Sequence, residues 1–420
     1  MLKICVMGLG YIGLPSASIF ATNGFRVVGV DVDAKIIDVL RKGELHINEP
    51  GLKTVVCAAL QSGNMTVQQE PEEADVFIIA VPTPIKEDKS ADLSYVVHAT
   101  ESILPVLRKG NLVVLESTCP PRTTEDILSL ILQKSGYKIG EEIFLAHCPE
   151  RVLPGNILHE FVNNDRIIGG ISSSSSCKAK EIYEKVVQGK LVLTDATSAE
   201  MAKLMENTFR DVNIALANEV CKIAYDLNLD ALEILKLANM HPRVHLHQPG
   251  PGVGGHCLAV DPWFVVEKSN NAKLIRLSRE INDGMPEFVV GLVRNMLLNR
   301  ERPKVTVLGV TYKGNVDDVR ESPATKVIRK MKQENIEVCI YDPYVKNYEF
   351  ALANLEEAFL ASDLVLVLAD HNEFKYLAAD ELGPLMRTKQ VFDARNCLHH
   401  DKWKVAGFTV KALGKNKKPV

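Results

Sequence analysis

One cysteine stands out by its surroundings. Cys257 follows Gly250-Pro251-Gly252-Val253-Gly254-Gly255-His256, and Asp261 lies a helical turn further on. So many glycines let backbone approach a ligand closely and leave no side chains to shield it. If Cys257 opens a helix, Asp261 falls one turn along the same side. A helix N-terminus also lowers a thiol pKa, which makes a thiolate nucleophile available near neutral pH. The other cysteines are scattered without a CxxC pair and read as inert core thiols in a reducing cytoplasm. His241, His245, His247 and His256 lie close to Cys257 in sequence. Their spacing matches no zinc pattern, so no metal site is expected.

A second set of polar groups shares one helix face. Lys203, Asn207 and Arg210 stand at i, i+4 and i+7. A cation, an amide and a guanidinium so placed bind a phosphate or steady a developing oxyanion; the bland alternative is a solvated face. Near the start, Gly8-Leu9-Gly10-Tyr11-Ile12-Gly13 is a G-x-G-x-x-G directly after a strand, with Asp31 closing the next strand. That register is the dinucleotide fingerprint, with the pyrophosphate at a helix N-terminus and the acid on a ribose 2′-hydroxyl, which favours NAD over NADP. Val81-Pro82-Thr83-Pro84 and Glu116-Ser117-Thr118 follow two further strands. Their hydroxyls either bond cofactor or substrate or simply form turns.

The elements carrying these residues read as three parts. Strand-like runs Lys3–Met7, Val27–Val32, Val76–Val81, Leu112–Leu115 and Ile143–Ala146 alternate with amphipathic stretches such as Ala34–Lys42 and Tyr95–Leu107. This rhythm predicts a Rossmann-type parallel sheet over residues 1–197. Ser172–Ser176 reads as a loop or a helix start. From Ser198 long helices take over, with an apolar stripe at Met201, Leu204, Met205, Thr208, Val212, Ala215 and Leu216. A charged hinge at Arg302–Lys304 then leads to a second αβ part over 302–420, with strands Val305–Gly309, Val338–Tyr341, Leu364–Leu368 and Val391–Phe392. The fold class is therefore α/β: a Rossmann domain, a central helical domain over 198–301 and a C-terminal Rossmann-like domain. The two αβ parts share no obvious motif.

Composition narrows the partners. Of 420 residues, 46% are hydrophobic and 24% charged, and the net charge is -4, which suits a globular chain and gives no field for nucleic acid. The uncharged stretch from Ile4 to Asn23 is broken by glycines and Pro15, so neither a signal peptide nor a membrane span is expected. Lys411, Lys415, Lys417 and Lys418 read as a solvated basic tail.

With these motifs assembled, the chain resembles the UDP-glucose/GDP-mannose dehydrogenase family over nearly its whole length. GLGYIGLP at Gly8, VPTP at Val81, EST at Glu116 and CPERVLPG at Cys148 are similar to its first domain. AEMAKLMENTFRDVNIALANE at Ala199 and GPGVGGHCLAVDPW at Gly250 are similar to its catalytic core, and TYKGNVDDVRESP at Thr311 to its C-terminal UDP-binding domain. The resemblance implies four-electron oxidation of the C6 alcohol of a nucleotide sugar to a carboxylate with two NAD. An aldehyde has no second hydride to give unless a nucleophile adds to it, so Cys257 would form a thiohemiacetal and then a thioester.

On this analogy Lys203 acts as acid/base or oxyanion stabiliser with Asn207, while Asp261 or Glu150 serves the hydrolytic step. Tyr11, Ile12, Asp31, Thr83 and Thr118 would surround NAD with Gly8, Gly10 and Gly13, and Arg320 would reach the cofactor. Arg151, Val152, Lys203, Asn207, Arg210, His241, Arg243, Gly254, Tyr312 and Lys313 would line the substrate. Pairing through the central helix implies a homodimer or higher homo-oligomer, with Arg243 open to donation from a neighbour. HPRV at His241 and GGHCLAVDPWF at Gly254 look like the branch acting on UDP-N-acetyl-D-mannosamine, whose uronate product feeds surface polysaccharide. UDP-N-acetylglucosamine and UDP-glucose are the alternative sugars. A two-electron β-hydroxyacid dehydrogenase would need neither the cysteine nor the third part, and an NAD-sensing scaffold would not need the nucleophile set.

Overall fold

A computed structural model describes residues 1–298 and 300–416. The chain forms two compact units, Met1–Glu206 with Trp263–Asn270, and Asn207–Pro262 with Asn271–Val420.

The first unit is built on eight strands: β1 Lys3–Met7, β2 Arg26–Val30, β3 Met65–Gln68, β4 Val76–Ile79, β5 Leu112–Leu115, β6 Phe144–His147, β7 Arg166–Gly170 and β8 Leu191–Asp195. They lie in the order β3-β2-β1-β4-β5-β6-β7-β8. The first six run parallel, β7 is antiparallel to β6, and β8 is parallel to β7. Both faces of the sheet are covered, which is why its strands read as continuous apolar runs. In β1, Ile4 and Val6 enter one core and Cys5 and Met7 the other.

Three strands of this sheet went unforeseen. β3 and β8 are the sheet's edges, and β8 in particular leaves Val192 and Leu193 exposed, so neither carries a long buried run. β7 begins on the charged Arg166, whose reason is tertiary and is described below. The serine run opens the helix Ser173–Tyr183, capped by the Ser172 side chain, which accepts from Ser175 N. The uncharged N-terminal stretch is β1, its turn and the helix Gly13–Thr22. No described helix is long and apolar enough to cross a membrane.

The second unit carries a parallel sheet of β9 Lys304–Leu308, β10 Glu337–Tyr341, β11 Leu364–Val367, β12 Gln390–Asp393 and β13 Thr409–Ala412, in the order β10-β9-β11-β12-β13. β13 places Lys411 in a strand, half-buried and 5.4 Å over the Tyr225 ring, so that lysine is no part of a solvated tail. Lys417 and Lys418 lie outside the described residues.

The two sheets share a bonding device that the sequence hides. Gly8 N donates to Val30 O at 2.7 Å and Leu9 N to Asp31 Oδ2 at 2.9 Å. In the second sheet Gly309 N donates to Tyr341 O at 2.9 Å and Val310 N to Asp342 Oδ2 at 2.8 Å. Both glycines turn with positive φ, 92° and 85°, a conformation only glycine adopts without strain.

A helix of 31 residues, Ala196–Asp226, belongs to the first unit up to Glu206 and to the second from Asn207. Within the second unit it is held by buried polar bonds. Arg279 donates to Asp211 at 2.6 Å, Asn282 Nδ2 donates to Asp211 at 2.8 Å, and Asn218 Nδ2 donates to Asn282 Oδ1 at 2.8 Å. Asn218 Oδ1 in turn accepts from Gly250 N at 2.9 Å. The long helix, the helix Lys273–Asp283 and the glycine-rich loop are thereby one hydrogen-bonded assembly.

Candidate active site

At the C-terminal edge of the first sheet the three fingerprint glycines separate into two kinds. A Cβ on Gly13 would stand 1.8 Å from Gly8 O, and one on Gly8 2.7 Å from Ala80 O. These two positions are closed by the protein itself. A Cβ on Gly10 would meet nothing within 4 Å. The fold leaves the space beside Gly10 open, with room for a ligand to approach the backbone. Tyr11 is exposed and Ile12 half-buried beside it, at the head of the helix Gly13–Thr22. Asp31 accepts from Leu9 N and from Asp33 N at 3.0 Å, which fixes the carboxylate at the strand end where a ribose is expected. Thr83 Oγ1 donates to Thr118 O at 2.6 Å, joining the two strand-end loops that carry both hydroxyls. These residues fit a dinucleotide.

Behind them lies a buried charge cluster. Glu150, in the loop after β6, accepts from Arg166 at 2.6 Å and from Arg151 N at 2.8 Å. The Arg166 guanidinium is itself 4.0 Å over the Phe161 ring, in a fully enclosed site. Glu116, at the end of β5, accepts from Tyr183 Oη at 2.6 Å and Ser16 Oγ at 3.0 Å. Burial pushes its carboxyl up to about 7; Arg166 opposes that shift and the Glu150 charge adds to it. His147, the last residue of β6, is fully buried and pushed down to about 3 by burial, with the Lys203 charge acting the same way. Arg151 pairs with Glu206 at 2.6 Å, and Val152 packs against the core.

On the long helix, Lys203 and Asn207 are buried and Arg210 is exposed. The solvated-face alternative thus fails for the first two. Asn207 Nδ2 donates to Asp261 Oδ2 at 2.6 Å, and its Oδ1 accepts from Arg210 at 2.5 Å. Leu216 lies off the buried stripe, 43% exposed.

The Cys257 loop differs from the expectation in two ways. The helix begins at Asp261, and Cys257 sits in the preceding turn. Asp261 N still donates to Cys257 O at 2.8 Å, so the one-turn relation holds while the helix N-terminus falls on the aspartate. The glycines, moreover, make room for protein. A Cβ on Gly254 would lie 2.7 Å from Tyr312 Cβ, and one on Gly255 2.9 Å from the Tyr312 ring. Gly255 N also donates to Arg320 O at 3.1 Å, which ties the loop to the 311–323 segment of the same unit. Arg320 forks onto Asp318 at 2.9 and 2.6 Å. His241, Arg243 and Lys313 are exposed. Cys257 is exposed, as is Cys177; the latter is an exception to the core reading of the remaining thiols.

Family models identify the frame. The NAD binding domain of the UDP-glucose/GDP-mannose dehydrogenase family matches residues 2–187, its central domain 197–284 and its UDP binding domain 306–400. The chain belongs to this family of NAD-dependent nucleotide-sugar dehydrogenases. It is 51% identical over 421 residues, 98% of this chain and 97% of the relative, to the UDP-N-acetyl-D-mannosamine dehydrogenase of Methanococcus vannielii. It is 44% identical over 406 residues, 93% and 95% of the two chains, to the NDP-N-acetyl-D-galactosaminuronic acid dehydrogenase of Ralstonia solanacearum. Among solved structures, the UDP-N-acetyl-mannosamine dehydrogenase Cap5O from S. aureus superposes with a TM-score of 0.90 at 48% identity, covering 99% of each chain.

Sequence reasoning missed Arg166, Tyr183 and Glu206 as partners of the site. Each acts across a gap in sequence that no spacing rule spans, and an arginine opening a buried strand was the one available signal.

Two outcomes follow from this geometry. Gly10→Ala is expected to keep the thermal unfolding midpoint while abolishing NAD binding in calorimetry, whereas Gly13→Ala loses several kcal/mol of stability through backbone displacement, roughly the cost of severe overpacking. Equal destabilisation by both would refute the division. Because the folded Glu116 carboxyl titrates above its unfolded value, its contribution is present at low pH and is lost as pH rises through about 7. Glu116→Gln should therefore gain on the order of 2 kcal/mol relative to wild type between pH 5 and 8.5 in denaturant titrations; parallel pH profiles would contradict the assignment.

Proposed function

We propose that the chain oxidises the C6 alcohol of UDP-N-acetyl-D-mannosamine to the carboxylate, giving UDP-N-acetyl-D-mannosaminuronate at the expense of two NAD. The observation that carries the chemistry is the accessible Cys257, one turn ahead of an Asp261 held by Asn207 of the long helix. The sugar rests on the names borne by relatives at 51% and 48% identity. The galactosaminuronic acid enzyme at 44% favours a second reading, the same chemistry on another N-acetylated sugar.

In this reading Gly8, Gly10, Tyr11, Ile12, Gly13, Asp31, Thr83 and Thr118 hold NAD, with Arg320 assisting, and Asp31 disfavours a 2′-phosphate. Bound NAD supplies the hydride acceptor. Lys203 takes the C6 hydroxyl proton as the alcohol becomes an aldehyde. The Cys257 thiolate then adds to the carbonyl carbon, and Lys203 and Asn207 carry the oxyanion of the thiohemiacetal. Loss of the second hydride leaves a thioester. Glu150 or Asp261 takes a proton from water, the water oxygen bonds to the acyl carbon, and the Cys257 sulfur departs. Arg151, Val152, Arg210, His241, Arg243, Gly254, Tyr312 and Lys313 contact the nucleotide sugar. Residues 1–197, 198–301 and 302–420 are the cofactor, catalytic and UDP-sugar parts, and free thiols suit a cytoplasmic setting.

The same reading makes the protein a homodimer through the long helix. Phe209, Leu216, Ile223 and Leu227 are 67%, 43%, 49% and 62% exposed, at spacings of two helical turns, two turns and one. Such a stripe is what a partner helix covers.

NADH formed per sugar consumed is the deciding measurement, with UDP-N-acetylmannosamine, UDP-N-acetylglucosamine and UDP-glucose offered separately. Two equivalents from the manno sugar alone are expected; two from another sugar would move the specificity, and one would return the two-electron reading. Cys257→Ala should form no acid while NAD still binds, and normal acid formation would overturn the covalent route. For assembly, Leu216→Glu with Ile223→Glu should convert a dimer to single chains by light scattering; an unchanged mass would remove the helix from the interface.

A further inference from the structure

Three donor side chains meet in the first unit. Cys119 follows the Glu116-Ser117-Thr118 loop, His147 ends β6, and Glu200 lies in the opening turns of the long helix. All three are essentially without solvent exposure, and one ligand atom from each lies within 4.8 Å of the other two. Among the described residues this is the group of cysteine, histidine and acid side chains that converges at metal-ligand distances; the histidines near Cys257 do not.

The ring of His147 points to what the cluster is for. Neither of its nitrogens makes a hydrogen bond with the protein, although the residue is wholly buried. The Leu115 carbonyl lies near the ring without hydrogen-bond geometry. The one thiol proton nearby does not serve it, since Cys119 Sγ donates to Glu200 Oε1 at 3.6 Å. A buried imidazole without a partner costs free energy of the order of a lost hydrogen bond or more. A bound cation removes that cost.

The donor set and spacing suit one class of ion. With Zn–S at about 2.3 Å and Zn–O at about 2.1 Å, two ligands at the tetrahedral angle stand about 3.6 Å apart, which is the observed sulfur–oxygen separation. Thiolate with imidazole selects zinc-like ions over magnesium or calcium. Outer contacts are in place. Glu200 Oε1 accepts from Thr124 N at 2.8 Å and Thr124 Oγ1 at 2.6 Å, while Oε2 accepts from Arg122 N at 2.6 Å and keeps a lone pair for an ion. A divalent ion with one thiolate and one carboxylate forms a neutral cluster, so no uncompensated charge is buried.

We propose that Cys119, His147 and Glu200 bind a structural zinc-class divalent ion. The Cys119 sulfur loses its proton to solvent as the metal–sulfur bond forms, and no electrons are transferred. The position gives the ion a purpose. Thr118 adjoins Cys119, Glu150 follows His147 by three residues, and Lys203 follows Glu200 by one helical turn. One ion would pin three separate segments that carry proposed site residues.

The test uses the full chain refolded with Zn2+ or with Co2+ and then freed of loose ions by a chelator. One ion per chain is expected, with a thiolate-to-cobalt charge-transfer band and tetrahedral cobalt absorption. Cys119→Val, which preserves volume, should lose both the ion and the band, as should Cys119→Ser if the valine variant folds poorly. Cys177→Ser with Cys257→Ser should retain them, which excludes the exposed thiols. Wild-type chain without a retained ion or charge-transfer band would overturn the proposal. So would an ion retained by the Cys119 variants.

Discussion

Arg166 is a single guanidinium enclosed with two carboxylates, and much of the first unit is arranged around that imbalance. Burying an ionised carboxylate costs several kcal/mol unless a charge and hydrogen bonds compensate it. One cation compensates one acid. Glu150 receives the ion pair, while Glu116 receives two hydroxyls and a titration point near neutrality. The strands β5, β6 and β7 and the helix that contributes Ser16 have their registers set by these bonds. The antiparallel entry of β7, which departs from the otherwise parallel pattern, delivers the arginine to that place. Two acids of like chemistry are thereby given different partners by position alone, and burial raises the Glu116 carboxyl.

The legible parts of this protein were those whose physics is local. The glycine turn, Asp31 and the alternation of buried strands follow from periodicity and steric need within about thirty residues. The long helix was visible too, together with the face carrying Lys203 and Asn207. What stayed hidden depends on pairing across the chain. Edge strands β3 and β8 lack a buried run, and β13 was concealed by its lysine. The glycines before Cys257 were visible, but not the role of Gly254 and Gly255 in admitting Tyr312, because they look the same in sequence whether a ligand or a side chain fills the space beside them. His147 shows the same limit, because nothing adjacent to it in sequence marks it as lacking a partner.

The second unit uses polar burial differently. Asp211, Arg279, Asn282 and Asn218 form a relay whose last member receives the backbone of Gly250. Burial raises the Asp211 carboxyl and Arg279 opposes it, so the pair is held by mutual need more than by surplus energy. Such a network specifies register: a slip of the long helix by one residue would strand several buried groups at once. The loop bearing Cys257 thus inherits its position from the helix bearing Asn207.

The repeated strand-end device has a stoichiometric consequence. In the second sheet Thr311 stands where the first has Gly10, and Asp342 is already occupied by Val310 N, Tyr344 N, Val345 N and the His371 ring, at 2.8 to 3.2 Å. The turn persists, but its acid already accepts four hydrogen bonds and has none of the capacity a ribose hydroxyl would need. On the proposed reading, where the first frame holds NAD, both oxidations of one sugar draw on that one berth in succession.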